Sequence, residues 1–312
     1  MSICLVTGGA GFIGSHIVEE LLSRGKKVRV IDNLSTGNIK NLSHLINDIE
    51  FIEGDIRDAK LVNKAMKSID FCFHEAALPS VARSVEDPII VNQVNIDGTL
   101  NLLFAAKKNK IRKFIYAGSS SAYGDSPSLP KKEDMKSNPL SPYAVSKLTG
   151  EYYCRVFYSV YGLDTLCLRY FNVFGPRQDP SSQYAAVIPK FITCFLNNTA
   201  PQIYGDGEQS RDFTYIDNVV SANMLAAEAK NVSGEVLNCA CGKQTSLNDL
   251  VKLLKYLLSS KVNPDYTEPK AGDIKHSLAD ISKAANMLGY SLKTSFEQGV
   301  KKTIAWHKGN KL

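Results

Sequence analysis

No uncharged apolar run in the 312 residues approaches the ~18–20 that a membrane span needs. The opening stretch, MSICLVTGGAGF, lacks a basic leader, and its apolar part breaks into glycines after six residues. It predicts neither a signal peptide nor a membrane anchor. Cysteine is too scattered for a disulfide framework. Cys4, Cys72, Cys154, Cys167, Cys194, Cys239 and Cys241 are odd in number and sit mostly in apolar runs. Free buried thiols point to a reducing, cytoplasmic compartment. Cys239 and Cys241 form a C-x-C, but no second pair and no nearby histidine completes a zinc pattern. With His16, His44, His74, His276 and His307 dispersed along the chain, no metal is expected.

Charge of one sign is also short. Lys and Arg number 37 against 31 Asp and Glu, a net +6 with a pI near 8.8. Nucleic-acid binders concentrate such an excess in a patch. Here the densest group is Lys107, Lys108, Lys110, Arg112 and Lys113, at the end of a predicted helix, where cations complement the macrodipole. No nucleic-acid partner is expected, and the general excess suits an anionic small ligand. What the chain does have is core-forming material: 44% apolar and 22% charged residues. That excludes a disordered tail, a collagen-like rod and a disulfide-stapled miniprotein. At ~150 residues per domain, the length allows one large or two modest domains.

Strand-like and helix-like segments alternate through the first half. Ile3–Thr7, Val28–Ile31, Phe51–Ile52, Phe71–Phe73, Phe114–Ala117 and Thr165–Leu168 read as strands. Between them, Phe12–Leu22, Leu61–Met66, Pro88–Lys107 and a segment from Ser141 to about Tyr161 read as helices. This alternation implies parallel pairing with right-handed crossovers, a doubly wound α/β sheet. After Phe171 loops dominate up to residue 212, around one short helix near 186–196. Arg211–Ile216 and Glu235–Cys239 then read as strands flanking a helix, Asp217–Ala229. Ser246 with Asp249, and Ser295 with Gln298, have capping-box spacing. No repeat or low-complexity linker separates the two regions.

Gly8, Gly11 and Gly14 lie between the first strand and first helix, in TGGAGFIG. Glycines there permit a tight turn and close approach of a pyrophosphate to a helix N-terminus. The G-x-x-G-x-x-G spacing departs from the commonest dinucleotide fingerprint, and its strand-turn-helix context is what makes it informative. Asp32 ends the second strand, 18 residues after Gly14. Asp-Asn is also turn chemistry, but this register suits an acceptor for both ribose hydroxyls that repels a 2′-phosphate, so NAD is expected rather than NADP. Asp55, after the third strand, can accept from an adenine amino group, and Ala76-Ala77, after the fourth, leave room for a cofactor.

Tyr143 and Lys147 stand four residues apart on one helix, hence on one face. A tyrosine of ordinary pKa ~10 is a poor base at neutral pH, and an adjacent ammonium favours its phenolate. An amphipathic helix with a half-exposed tyrosine shows the same spacing. Upstream, Ser119, Ser120 and Ser121 follow the fifth strand, where a hydroxyl can hold a substrate oxygen; a serine run is otherwise simply loop.

Together, TGGAGFIG, Asp32, SSSAYG, Tyr143-x-x-x-Lys147, RYFNVFGP from Arg169 and GDGEQSRDF from Gly205 resemble, in order, the extended short-chain dehydrogenases/reductases. These are NAD-dependent nucleotide-sugar epimerases and dehydratases, and the resemblance covers essentially the whole chain. Within them it looks most like the UDP-N-acetylglucosamine 4-epimerases and UDP-glucose 4-epimerases. The resemblance implies a Rossmann-type domain of residues 1–170 plus about 211–240. It also implies a smaller α/β C-terminal lobe, of about 171–210 and 241–312, for the UDP-sugar. Ser119, Tyr143 and Lys147 match the catalytic residues, and Asn95 an asparagine that supports the lysine. The expected NAD contacts add Phe12, Ile13, Asn33, Ser35, Thr36 and Gly37, then Ile56 and Tyr170. Asn172 and Arg211 match contacts to the substrate diphosphate. Ala186, Val187, Gln202 and Tyr204 fall where the family encloses uracil, and Asp273 where it holds the uridine ribose. Lys270 replaces the family's usual arginine. Ser80 lies beside the sugar, preceded by Pro79 where close relatives have glycine. Ser277 falls where small residues accompany acceptance of N-acetyl sugars, although a loop serine would look the same.

The resemblance leaves epimerase, dehydratase and decarboxylase open. Dehydratases of this type carry Asp-Glu or Glu-Lys directly after the catalytic Ser/Thr, and decarboxylases use a nearby Glu. Ser120 and Ser121 cannot act as carboxylate acids or bases, which favours 4-epimerisation of a UDP-hexose. A non-catalytic NAD-binding scaffold is the other class of reading, disfavoured because Tyr143 and Lys147 are both present. Helices near 88–107 and 142–161 correspond to those forming a four-helix homodimer interface in the family, although sheet packing also explains their apolar stripes.

Overall fold

The computed structural model describes residues 2–180, 186–269 and 275–309. Six strands alternate with helices: β1 (Ile3–Thr7), β2 (Lys27–Asp32), β3 (Ile49–Glu53), β4 (Phe71–His74), β5 (Lys113–Ser119) and β6 (Thr165–Tyr170). A later strand, Glu235–Cys239, joins them at the edge beside β6. All pairings in this seven-stranded sheet are parallel, and the order is edge strand-β6-β5-β4-β1-β2-β3. The fold is therefore the doubly wound Rossmann-type α/β sheet. Its order reverses between β1 and β4, where such sheets open a crevice at their carboxyl ends.

Strand alternation divides the core between the two faces. Cys4, Val6, Val28, Val30, Ile115, Leu166 and Leu168 point to one buried cluster, and Leu5, Ile31, Phe114, Tyr116 and Cys167 to the other. Both faces are covered, so these strands read as nearly continuous apolar runs. Each fully buried aliphatic side chain contributes about 1.5–3 kcal/mol.

On one face lies α1 (Phe12–Ser23); on the other lie α2 (Ala59–Ala65), α5 (Gly98–Asn109) and α6 (Pro142–Tyr161). Ser141 caps α6 by accepting from Ala144 N at 3.1 Å, with Pro142 in the first turn. Gly162, at φ 69°, ends the helix in a left-handed turn. The short α3 (Val81–Glu86) has no counterpart in the sequence reading. The expected unbroken helix over 88–107 is α4 (Pro88–Asn92) and α5, joined by a π-helical turn at Gln93–Asp97. Such turns concentrate at functional sites because they rotate side chains out of the helical register.

The expected strand Arg211–Ile216 is replaced by two short strands in separate sheets. Ser210–Arg211 pairs antiparallel with Thr245–Ser246, whereas Thr214–Tyr215 pairs parallel with Val173–Phe174. Between the two, Asp212 draws the backbone aside: its buried carboxylate accepts from the amides of Cys241, Gly242 and Ala279. Two further helices follow the loops, α7 (Val187–Leu196) and α8 (Ile216–Glu228), and α8 packs on α1. Both capping boxes form hydrogen bonds, and that of Ser295 and Gln298 is reciprocal. Among the described residues no helix is long and apolar enough to cross a membrane. No described group of three or more His, Cys, Asp or Glu residues is placed to hold a metal ion.

Candidate active site

A cavity of about 1470 Å³ runs along the carboxyl ends of β1, β2, β4, β5 and β6. Single small-molecule sites usually occupy ~300–1,000 Å³, so this one has room for two ligands side by side.

The dinucleotide half begins at Gly8, which turns at φ 67° and lies so close to the loop after β4 that a Cβ would meet Ala76 N at 2.7 Å. At Gly14 a Cβ would come within 2.2 Å of Gly8 O. Only bare backbone fits both places. Gly11 caps α1 without any side-chain cap, leaving first-turn amides, those of Phe12 and Ile13 included, to an anionic ligand. Asp32 is buried, its Oδ2 accepting from Ala10 N at 2.9 Å and its Oδ1 from Leu34 N at 2.8 Å. Burial raises its pKa, and the two amides oppose the rise. Each oxygen keeps a lone pair for a ribose hydroxyl. This cradle, a glycine turn against a helix N-terminus with a buried acceptor at the end of β2, fits NAD.

Ser35, Thr36 and Gly37 continue the wall, with Ile56, Ala76 and Ala77 opposite. Asp55 is gripped by Arg57 (Nε to Oδ1, 3.0 Å; Nη2 to Oδ2, 2.8 Å) and receives Asn33 Nδ2 at 2.9 Å. The Arg57 hydrogen bonds hold its pKa down at about 2, so it stays an acceptor.

The chemical half sits where α6 crosses the end of β5. Lys147 is buried; its Nζ donates to Ala117 O at 2.9 Å and lies 5.1 Å from the Tyr116 ring centroid. Burial lowers its pKa to about 8, against the opposing pull of Glu75 and Glu151. One turn earlier, Tyr143 is hydrogen-bonded to Ser119; burial raises its pKa and that bond lowers it. Ser119 in turn receives Ser121 Oγ at 2.9 Å and Ser121 N at 3.2 Å. A hydroxyl, a phenol and an ammonium thus converge from two elements, an arrangement suited to moving a proton to and from an alcohol.

Asn95, the expected support of Lys147, reaches the residue directly before it. Set in the π-helical turn and buried, it donates through Nδ2 to Leu78 O (3.3 Å) and Ser146 Oγ (3.0 Å), and its Oδ1 accepts from Leu78 N at 2.8 Å. It thus ties the loop after β4 to Ser146, the residue preceding Lys147.

Glu75, absent from the sequence-derived set, lines the cavity. Its Oε1 accepts from the Tyr170 hydroxyl at 2.8 Å. Burial raises its pKa to about 7, with the Tyr170 bond and Lys147 opposing. A carboxyl one residue beyond an apolar strand, in His74-Glu75-Ala76, was the available signal.

Toward the second lobe, Ser80, Ser120, Asn172, Ala186, Arg211 and Ser277 all line the cavity. Ser80 caps α3 through Arg83 N at 3.0 Å. Asn172 is held at φ 37° and donates to Asp212 O at 3.3 Å. Arg211 Nη1 donates to Ser210 O (2.9 Å) and Lys275 O (3.3 Å), and Ser277 N donates to Ser210 O at 3.0 Å. Val187, which opens α7, and Gln202 and Tyr204, the ends of a short strand Gln202–Tyr204, lie outside the described lining. Those two flank Ile203, which takes the inward position of the strand and leaves them exposed. Lys270 and Asp273 lie outside the described residues.

The sequence profile of the NAD dependent epimerase/dehydratase family matches residues 4–240. Among solved structures, the UDP-N-acetylglucosamine 4-epimerase of Methanobrevibacter ruminantium M1, in complex with UDP-N-acetylmuramic acid, is 45% identical with a TM-score of 0.95, over 99% of this chain and 98% of that one. The UDP-glucose 4-epimerase of Thermotoga maritima, solved with UDP-glucose, is 40% identical with a TM-score of 0.94, over 98% and 99%. A UDP-N-acetyl-alpha-D-glucosaminuronate decarboxylase of Bacillus cytotoxicus is 36% identical over 97% of both chains. The chain belongs to the NAD-dependent epimerase/dehydratase family, an extended short-chain dehydrogenase/reductase.

Proposed function

We propose that the protein is a UDP-hexose 4-epimerase that interconverts UDP-GlcNAc with UDP-GalNAc, and UDP-glucose with UDP-galactose. The observation carrying this reading is the surrounding of the Ser119–Tyr143–Lys147 set: Ser120 and Ser121 stand directly after Ser119, with no carboxylate there to remove a carbon-5 proton or expel a 6-hydroxyl. Glu75 does not restore that pair, since it arises from the end of β4 and its Oε1 is committed to Tyr170.

Bound NAD supplies a reversible hydride acceptor for carbon 4. Tyr143 takes the proton of the 4-hydroxyl, Ser119 holds that oxygen in line, and the Lys147 ammonium stabilises the phenolate. Arg211 and Asn172 grip the diphosphate, while small serines leave the sugar free to turn over, so that the hydride returns to the opposite face of carbon 4 and Tyr143 gives the proton back to the oxygen. Ser277, lining the cavity with a small side chain, leaves space for an N-acetyl group at carbon 2.

In this reading residues 1–170 and about 211–240 hold the cofactor, and 171–210 with 241–312 hold the UDP-sugar. The chain acts as a homodimer. Val145, Tyr152, Val156 and Val160 are exposed along one face of α6, and Phe104 is exposed on α5, a stripe that a second copy would cover. A monomer in sedimentation at micromolar concentration would overturn the dimer.

The function is tested by incubating purified protein with each UDP-sugar, without added NAD, and resolving the products. Interconversion of 4-epimers is expected; water loss, carbon dioxide or a free 4-keto sugar as main product would overturn it. Failure to turn over any nucleotide sugar despite bound NAD would favour the scaffold instead. The ratio of kcat/KM for UDP-GlcNAc and UDP-glucose decides the sugar preference.

A further inference from the structure

The segment after the short strand Val173–Phe174 is fastened to α1 by side chains that none of the steps above uses. Its backbone turns at Arg177 with φ 67°, a left-handed conformation that favours glycine and, among other residues, asparagine. An arginine stays there only if its contacts outweigh the strain. Those of its guanidinium lead to α1. Nη2 donates to Glu19 Oε2 at 2.5 Å, and Nη1 to Ser15 Oγ at 3.4 Å. Ser15 Oγ donates in turn to Phe12 O at 3.0 Å, in the first turn of the helix. One residue before Arg177, Pro176 O lies 3.0 Å from His16 Nε2. A carbonyl has no proton to give, so Nε2 is the donor. The His16 ring also meets Phe12 edge-on, with centroids 6.0 Å apart.

These ties lie at the rim of the cofactor crevice. Arg177 and Gln178 line the cavity on one side, Phe12 at the helix N-terminus, and His44 from the segment after β2. Glu19 is not part of that lining, yet its carboxylate joins two of the walls: Oε2 holds Arg177, and Oε1 lies 3.6 Å from His44 Nε2. The Arg177 side chain is 14% exposed and that of Glu19 46%, so the pair is shielded from within and reached by solvent from outside. Ser15, His16 and Glu19 stand one and two turns beyond Phe12. The helix end whose free amides suit a pyrophosphate is therefore walled by a segment bolted to the same helix a little further along.

We propose that Arg177, with Glu19 and His16, is a clasp that retains NAD: it positions the 176–178 segment against α1, and the cofactor leaves only when the clasp opens. Arg177 acts here through Glu19 and Ser15 and is a positioning residue for the cofactor. The inference rests on the NAD cradle alone and is independent of which sugar reacts.

The test is exchange of NAD bound to the holoenzyme against excess isotope-labelled NAD, sampled by rapid desalting and mass spectrometry. Arg177→Asn removes the guanidinium and keeps a residue that tolerates the left-handed turn. Glu19→Gln removes only the charge outside the cavity. A half-exposed ion pair is a modest tie, so exchange should quicken about 3-fold in Glu19→Gln and, with both guanidinium contacts gone, about 10-fold in Arg177→Asn. The double variant should match Arg177→Asn, because Glu19 acts through that arginine. Unchanged exchange in Arg177→Asn overturns the clasp and leaves the arginine a structural role only. Slower exchange in Glu19→Gln also overturns it, since a guanidinium freed from Glu19 would then be gripping the pyrophosphate directly. Additive single effects show independent sites and overturn it as well. If Arg177→Asn does not fold, salt decides: raised ionic strength should quicken exchange in the wild type and much less in Glu19→Gln, and an equal response in both contradicts the clasp. Absence of epimerase activity would defeat the function proposed above and leave this measurement intact.

Discussion

Ser121 Oγ lies 2.9 Å from Ser119 Oγ, and the Ser121 amide approaches the same oxygen at 3.2 Å. The second serine therefore orients the first, which leaves the Ser119 proton for Tyr143 or for a substrate oxygen. Ser121→Ala should lower kcat only about 3–10-fold, because the backbone amide remains, whereas Ser119→Ala should cost ~10²-fold. Steady-state kinetics on both variants checks the order. Equal losses would show that the hydroxyls act as one unit.

In the proposed mechanism, Tyr143→Phe removes the atom that carries the proton. Turnover should fall ~10²-fold or more, with KM and bound NAD little changed. Near-normal activity would refute the assignment.

Gly14 admits no side chain, since a Cβ would press to 2.2 Å from Gly8 O and 2.8 Å from Gly9 Cα. Both are backbone atoms and cannot swing aside. Gly14→Ala should forfeit NAD and lower Tm by several degrees, equivalent to about 1–3 kcal/mol of overpacking. Cofactor content and thermal unfolding together are the measurement, and a stable variant that retains NAD would contradict the geometry.

Arg211 is fixed to the backbone at Ser210 and Lys275, with its guanidinium in the cavity wall. Lysine keeps the charge and loses the fork. Arg211→Lys should raise KM for the UDP-sugar about 10-fold and Arg211→Ala about 100-fold, with smaller effects on kcat. A fall in kcat at constant KM would place the arginine in the chemistry instead of in binding.

Burial raises the pKa of Glu75 from 4.5 to about 7. With the folded value above the unfolded one, its contribution to stability is fully present below about 4.5 and is lost as pH rises through about 7. In cofactor-free protein, Glu75→Gln should therefore raise Tm by a few degrees near pH 8 and leave it unchanged near pH 4.5. A constant offset across that range would contradict the shift.

Much of the site is legible along the chain because its parts are local. The glycine turn, the acidic end of β2 and the Tyr143–Lys147 pair each lie within one turn, strand end or helix face, where spacing and periodicity specify geometry. The π-helical turn was not legible, since the apolar pattern of residues 88–107 reads as regular helix. What distorts it is Asn95, bonded across to Leu78 and Ser146. Arg211–Ile216 misled for a related reason: its strand-like residues answer to two different partners, and the buried Asp212 lies between them.

By itself, then, the order of apolar runs and turn residues determined a doubly wound sheet with a dinucleotide cradle, because strands, caps and helix faces are short-range consequences of side-chain pattern. Tertiary structure alone decided which side chains share an environment. Glu75 meets Tyr170 across 95 positions and Tyr170 meets Asn223 across 53. No local pattern encodes such meetings. They arise because packing of the sheet and its covering helices brings the ends of β4 and β6 together with α8, so that a phenol from one strand meets a carboxyl from another and an amide from a helix.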